Sequence, residues 1–249
     1  MAHLELFTAL VGSHNYNLNN ENSDRDYKTF IIPDFDDLYH KEDAKEKNIT
    51  SEIEDIDYHD IRQMVYRFSK ANVNFLEVLF SEEIRISPEL PLWAKYAVTQ
   101  IMSMKHDIAR MNLPYLYDAC MGMKHNKLKL IDKGTQSSKH LVEKHGYDTK
   151  AAMSAYRILD FLVRFADNDF KDFKKAIWYT NYEKVLLNSI LKGQFTKEEV
   201  LKLIANKDYH LNKIYKTKYK SVPFDEETYN KLEDILKDLV KHSILLNKK

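Results

Sequence analysis

At 249 residues, 44% hydrophobic and 31% charged, with 16 Tyr and 12 Phe, the chain can bury one large core or two modest ones and lies far from disordered or fibrous compositions. Apolar runs such as Phe75 to Phe80 are too short to cross a bilayer, and the single cysteine excludes an internal disulfide framework and a cysteine-based zinc cluster. The net charge of zero hides a division: residues 1–90 hold 9 Lys/Arg against 19 Asp/Glu, and residues 91–249 hold 29 against 19.

An acidic half suits cations and a basic half suits phosphates, although two such halves also simply attract one another. MAHLELFTAL lacks the basic segment and small-residue cleavage site of an export signal, so the expectation is an unprocessed, cytoplasmic protein without membrane association. Cys120, inside an apolar-periodic stretch, is expected to be a buried thiol.

In chain order, residues 3–11 (HLELFTALV) form a helix or strand ending at Gly12-Ser13, and the Asn-rich stretch to Ser23 reads as irregular structure. Asp26 to Ile32 (DYKTFII) is a β-type run stopped by Pro33, followed by an acidic loop over 34–48. Ile49 to Ile56 is a second strand, and Asp57 and Asp60 suit the start of a helix over 58–71. Asn74 to Ser81 (NFLEVLFS) is a third apolar run of strand length. Beyond Pro88 helical periods dominate, near 92–111, 115–131, 148–166, 182–192, 196–206 and 226–246, with Asp148 and Thr196 as N-caps. The fold class expected is α+β: a small mixed-sheet domain over 1–87, then an all-helical domain over 88–249.

On a strand, positions i and i+2 share a face, which sets Asp24 and Asp26 side by side. Two carboxylates so placed can bind one Mg²⁺ or bridge a pair, the arrangement that clamps the attacking and leaving oxygens of a phosphoryl displacement. Alone, Asp-x-Asp is weak and often a solvated turn. Preceded by Gly12-Ser13 and followed by an apolar strand it gains weight, because small residues let backbone amides approach a triphosphate closely.

The arrangement Gly12-Ser13, then Asp24-Arg25-Asp26 entering an apolar strand, resembles the DNA polymerase β-like nucleotidyltransferase superfamily. More narrowly, GSHNYNLNNENSDRDYKTFIIP with NVNFLEVLFS and HGYDTKAAMSAYRIL is similar to a bacterial and phage family that joins a minimal nucleotidyltransferase domain to a helical C-terminal domain. The resemblance implies Mg²⁺-dependent (or Mn²⁺-dependent) transfer of a nucleoside monophosphate from a nucleoside triphosphate, ATP among them, to an acceptor hydroxyl on RNA (tRNA included), protein or a small molecule, releasing pyrophosphate. By matching positions it implies that Gly12 and Ser13 contact the triphosphate and that Asp24 and Asp26 bind the metal.

Superfamily members commonly add a third acidic residue from a later strand. Glu77, a lone carboxylate in NFLEVLFS, is the preferred candidate for a catalytic and metal-binding role; Glu52 and Glu54 compete, and an exposed Glu77 on an edge element is the plain alternative.

In the helical half, Lys150, Ser154, Arg157, Phe161 and Arg164 fall on one helix face. Lys150 and Arg157 are candidates to hold the donor's β and γ phosphates, with Ser154 in the same block departing from a histidine expected in relatives. Basic groups at Lys124, Lys127, Lys129, Lys133, Lys139 and Lys144, and at Lys213, Lys216, Lys218 and Lys220 with Tyr215 and Tyr219, could track RNA or be ordinary solvated faces. The competing class is a catalytically idle nucleotide- or partner-binding module, for example in phage–host conflict. Oligomeric state is not legible.

Overall fold

The computed structural model describes residues 3–21, 23–44, 46, 48–51 and 54–246. The candidate Glu52 therefore lies outside the described residues. By internal contacts the chain forms two compact units, residues 1–112 with 224–249, and residues 113–223.

The first unit is built on a five-stranded mixed sheet: β1 (Leu4–Val11), β2 (Arg25–Ile32), β3 (Ile49–Thr50), β4 (Glu54–Asp60) and β5 (Ile84–Arg85), in the order β3-β4-β2-β1-β5. β1 runs antiparallel to β2 and β5, and β2 runs parallel to β4. Burial from Leu6 through Val11 explains why β1 reads as a nearly continuous apolar run: it is an interior strand covered on both faces. Its helices are α1 (Gly12–Asn15), α2 (Phe35–His40), α3 (Met64–Ser69), α4 (Val73–Leu76), α5 (Leu92–Ser103), α6 (Lys105–Arg110) and, from the end of the chain, α14 (Glu226–Leu246).

Two expected boundaries move. The helix assigned to 58–71 starts later, because β4 continues in parallel register with β2 as far as Asp60. There the Asp60 carboxylate accepts from the Arg62 N–H at 2.7 Å and turns the chain into a 3-10 turn leading to α3. The run NFLEVLFS is not a strand. Asn72 caps α4 by accepting from the Asn74 N–H, and Glu77–Phe80 follows as a buried 3-10 turn. A short continuous apolar run is the pattern that periodicity alone does not resolve between a buried strand and a buried helix.

The second unit is all-helical: α7 (Leu113–Leu128), α8 (Lys139–His145), α9 (Thr149–Asp167), α10 (Phe173–Ile177), α11 (Lys184–Leu191), α12 (Lys197–His210) and α13 (Lys216–Lys220), with a π-helical turn over Leu211–Tyr215. Asp148 caps α9 by accepting from the Ala151 N–H at 2.8 Å. Thr196 and Glu199 form the expected capping box on α12. The apolar face of the amphipathic α9 is fully inside, with Ala152, Leu159, Leu162 and Phe165 at 0% exposure, and α7, α11 and α12 pack around it.

The fold is α+β, as the sequence implies, but the compact units do not divide at 87/88. Composition changes there because strands give way to helices, yet α5 packs on β1 and α14, and α14 returns to α3. The sheet is covered by helices from both ends of the chain.

Candidate active site

The site grows from the crossing where β1 ends and β2 begins. Val11 stands opposite Asp26, and Gly12 follows in the left-handed region at φ 70°. A Cβ on Gly12 would stand 2.6 Å from Asp26 Oδ2, so only glycine lets the chain turn against that carboxylate. On the other side of β2, the parallel register sets Asp55 level with Asp26 and Asp57 level with Lys28, all on one face. That face is confirmed by the rings sharing it: Phe7 lies 5.0 Å from Phe30 and Phe30 lies 5.8 Å from His59. Asp55 Oδ1 is buried and has no hydrogen-bond partner. Asp24 is exposed and precedes the strand, which starts at Arg25.

Of the expected third carboxylates, Glu77 is placed differently from the expectation. It is 2% exposed and its two oxygens are already answered. Oε2 accepts from the Gly12 N–H at 3.0 Å and Asn15 Nδ2 at 3.3 Å, and Oε1 accepts from the Tyr16 hydroxyl at 2.6 Å. Asn15, fully buried, closes the brace by accepting from the Glu82 N–H at 3.1 Å. A buried carboxylate holding three donors fixes a loop, and here it fixes GSHNY.

Glu77 thus anchors the glycine turn, with the Gly12 amide donating to it. Glu54, the other competitor, lies one residue off Asp55 in β4 and so faces away from Asp26, 3.9 Å from Arg85. Asp55 is what the sequence reading missed. Its signal was present, as Asp55-x-Asp57, but ending the strand at Ile56 hid the alternation.

The opposite face carries a second brace. Arg25 donates to Tyr27 Oη at 2.8 Å and pairs with Glu83, and Arg85 donates to both Glu83, at 2.6 Å, and Tyr27, at 2.6 Å. Burial raises the Glu83 carboxyl, but the Arg85 and Arg25 guanidinium groups outweigh it and hold it below its usual range. On the site's own face, burial drives His59 down to about 4, helped by Lys28 and Arg67 and opposed by Asp57, so its ring is neutral near pH 7.

A three-ligand group among the described residues lies elsewhere. His3, Asp34 and Asp37 offer ligand atoms within 4.8 Å of one another at the far end of the sheet, where β1 starts and β2 ends. There the His3 ring meets Glu46 Oε1 at 2.7 Å and Asp37 Oδ2 at 2.8 Å. Burial pulls the imidazole down, yet Glu46 and Asp37 raise it overall, which is the behaviour of an imidazolium between two carboxylates.

In the second unit, Lys150, Ser154 and Arg157 are on α9 as the spacing requires. The Ser154 hydroxyl donates to the Lys150 carbonyl at 2.8 Å. Phe161 is core, and Arg164 is structural, donating to the Lys175 and Trp178 carbonyls and pairing with Glu183 at 3.1 Å. Part of the distal basic group is internally neutralised, Lys218 by Asp169 at 2.7 Å and Lys220 by Asp118 at 2.6 Å. Cys120 is fully buried and its thiol is pushed up by desolvation, an inert structural position.

Residues 3–159 match the family model described as RNA repair pathway DNA polymerase beta family (RlaP). The chain belongs to this family. Membership makes it a polymerase β-type nucleotidyltransferase in the broad sense, and the matched region takes in the whole sheet, both braces and the first part of α9. None of the curated proteins compared with it matches. Among the described residues no helix is long and apolar enough to cross a membrane.

Proposed function

We propose that the chain transfers a nucleoside monophosphate from a nucleoside triphosphate to an acceptor hydroxyl, using a divalent cation, Mg²⁺ or Mn²⁺, held by Asp24, Asp26 and Asp55. The observation that carries this reading is the Gly12–Asp26–Asp55 crossing: a glycine turn flush against one carboxylate, with a second carboxylate level with it and bearing a buried oxygen that nothing else satisfies. All-oxygen donors of this kind suit hard cations. When bound, such a cation supplies Lewis-acid polarisation of the α phosphate and lowers the charge barrier to attack.

The rest belongs to the chain. In this reading Asp55 takes the proton from the acceptor hydroxyl, whose oxygen forms the new bond to the α phosphorus as the bond to pyrophosphate breaks. Ser13, in the first turn of α1, offers its N–H and hydroxyl to the donor phosphates, while Gly12 supplies room and Glu77 supplies rigidity. Lys150 and Arg157, on α9 of the helical unit, are candidates to bind nucleotide phosphates. The family's printed description favours an RNA acceptor over a protein or small molecule.

Incubation with Mg²⁺, each α-labelled nucleoside triphosphate and total RNA should transfer label to RNA. The double variant Asp24→Ala, Asp26→Ala should abolish transfer; equal labelling by that variant sinks the mechanism. Triphosphate binding without transfer under any condition would favour an idle nucleotide-binding module.

A further inference from the structure

The helix α14 carries more apolar surface than the first unit covers. Its buried stripe is Thr228, Leu232, Leu236, Leu239 and Ser243, and the helix packs on α5 and α3. Beside that stripe runs a second one, with Tyr229, Val240, Ile244 and Leu245. Together with Leu38 of α2 and Val65 and Tyr66 of α3 it lines a groove of about 570 Å³, wholly within the first unit. Tyr66 and Leu245 are 64% and 54% exposed there, and Leu246, next in the chain, is 57% exposed. Apolar surface left open in this way and rimmed by charge marks an interaction face.

The charges on the rim say what fills it. Arg62 is already held by the buried Asp60 carboxylate at 2.6 Å. On α14 the rim reads Glu233, Lys237, Lys241, one turn apart each. Glu233 reaches Lys237 at 3.1 Å, whereas Lys241 has no ion-pair partner among the described residues. An exposed pair of this kind contributes little, so Glu233 can serve a second cation.

An acid at one end and an unanswered lysine about 12 Å along the helix make a pattern that complements itself when reversed. An antiparallel second α14, with the two-fold axis level with Lys237, sets Glu233 beside the partner's Lys241 and Lys241 beside the partner's Glu233. The same register sets Tyr229 level with the partner's Leu245. Lys237 meets the partner's Lys237 at the axis, each with its own Glu233 alongside. A parallel copy would put like charge on like, and a partner helix of one charge sign would leave either Glu233 or Lys241 facing its like.

We infer that the groove is filled by a second copy of this chain: α14 of each protomer lies antiparallel in the α3–α14 groove of the other, giving a two-fold dimer through the first unit. The dimer is independent of the catalytic reading, and its test does not use nucleotidyl transfer.

Sedimentation velocity on the full chain over a range of concentrations should show a monomer–dimer equilibrium. Because the axis doubles every contact, Glu233→Lys alone and Lys241→Glu alone should each weaken the dimer about tenfold or more. The two together exchange the charges and should restore the dimer. Leu245→Asp, at an exposed position, should give a monomer whose Tm at high dilution matches that of the unaltered chain. A chain that stays monomeric at the highest concentration reached overturns the inference. So does a dimer that both single reversals and Leu245→Asp leave intact, which would lie on another face, and so does a charge exchange that fails to restore what the single reversals break. A monomer that binds an apolar fluorescent dye, 1-anilinonaphthalene-8-sulfonate, and loses it in Leu245→Asp would give the groove to another occupant and overturns it as well.

Discussion

The two ends of the β1–β2 ladder both gather carboxylates, and they differ in what answers them. At the start of β1, Asp37 and Glu46 grip the two nitrogens of His3, and Asp34 and Asp37 exchange side-chain and backbone bonds as a helix cap. At its other end, Asp26 is pressed on Gly12 and Asp55 keeps a buried oxygen without a partner. Density of acidic residues marks neither end as a site; an unsatisfied buried acceptor does, because native proteins seldom leave one without a functional reason.

The largest expected effect breaks that contrast directly. Asp55→Asn, nearly the same shape without the charge, should lower nucleotidyl transfer on the order of 10²–10³-fold, the scale of losing one electrostatic stabiliser in an active site. It should also weaken Mn²⁺ binding measured by electron paramagnetic resonance. Asp37→Asn at the opposite end should leave transfer and Mn²⁺ affinity within about twofold. Equal losses from both variants would mean that the two ends are not functionally distinct.

Glu77 sharpens the comparison by offering a carboxylate near the site but saturated with donors. Glu77→Ala removes the carboxylate that accepts from the Gly12 N–H, the Asn15 amide and the Tyr16 hydroxyl, and should cost roughly 1.5–3 kcal/mol in urea unfolding. Tyr16→Phe, removing one donor, should cost about 1 kcal/mol. In Glu77→Gln, which keeps one acceptor and the shape, Mn²⁺ affinity should hold while transfer falls through a looser glycine turn. Loss of Mn²⁺ affinity in Glu77→Gln would return the residue to the metal set.

How much of this the sequence shows depends on whether the determinant is local. The order Gly12-Ser13, then Asp24-Arg25-Asp26, is local because one loop joins the two, although Asp24 falls before β2 and outside its alternation. The caps at Asp148 and Thr196 are legible for the same reason. Asp55 is not, since its value comes from β4 lying parallel beside β2 in a particular register, a long-range pairing that no spacing encodes. Glu77 misleads because a charge in an apolar run does need a reason, and the reason is a set of donors 61 to 65 residues earlier in the chain. The return of α14 to the sheet is invisible likewise, its amphipathic pattern being the same whichever unit it covers.

The smallest effects lie with the two histidines on this sheet, whose contributions to stability run in opposite directions with pH. His59 is held down to about 4, against an ordinary imidazole value of 6.5, so the unfolded chain binds the proton first. Its contribution is whole above pH 6.5 and is lost as pH falls toward 4, on the order of 1–2 kcal/mol once solvent screening is allowed for. His3 is raised, so its contribution is whole below pH 6.5 and is lost as pH climbs through its folded-state value. Urea unfolding across pH 5 to 8 should therefore show an acid limb that flattens in His59→Gln and an alkaline limb that flattens in His3→Gln. An acid limb of unchanged slope in His59→Gln would show that the buried imidazole is not what the site's face loses on acidification, and would move that role to the carboxylates beside it.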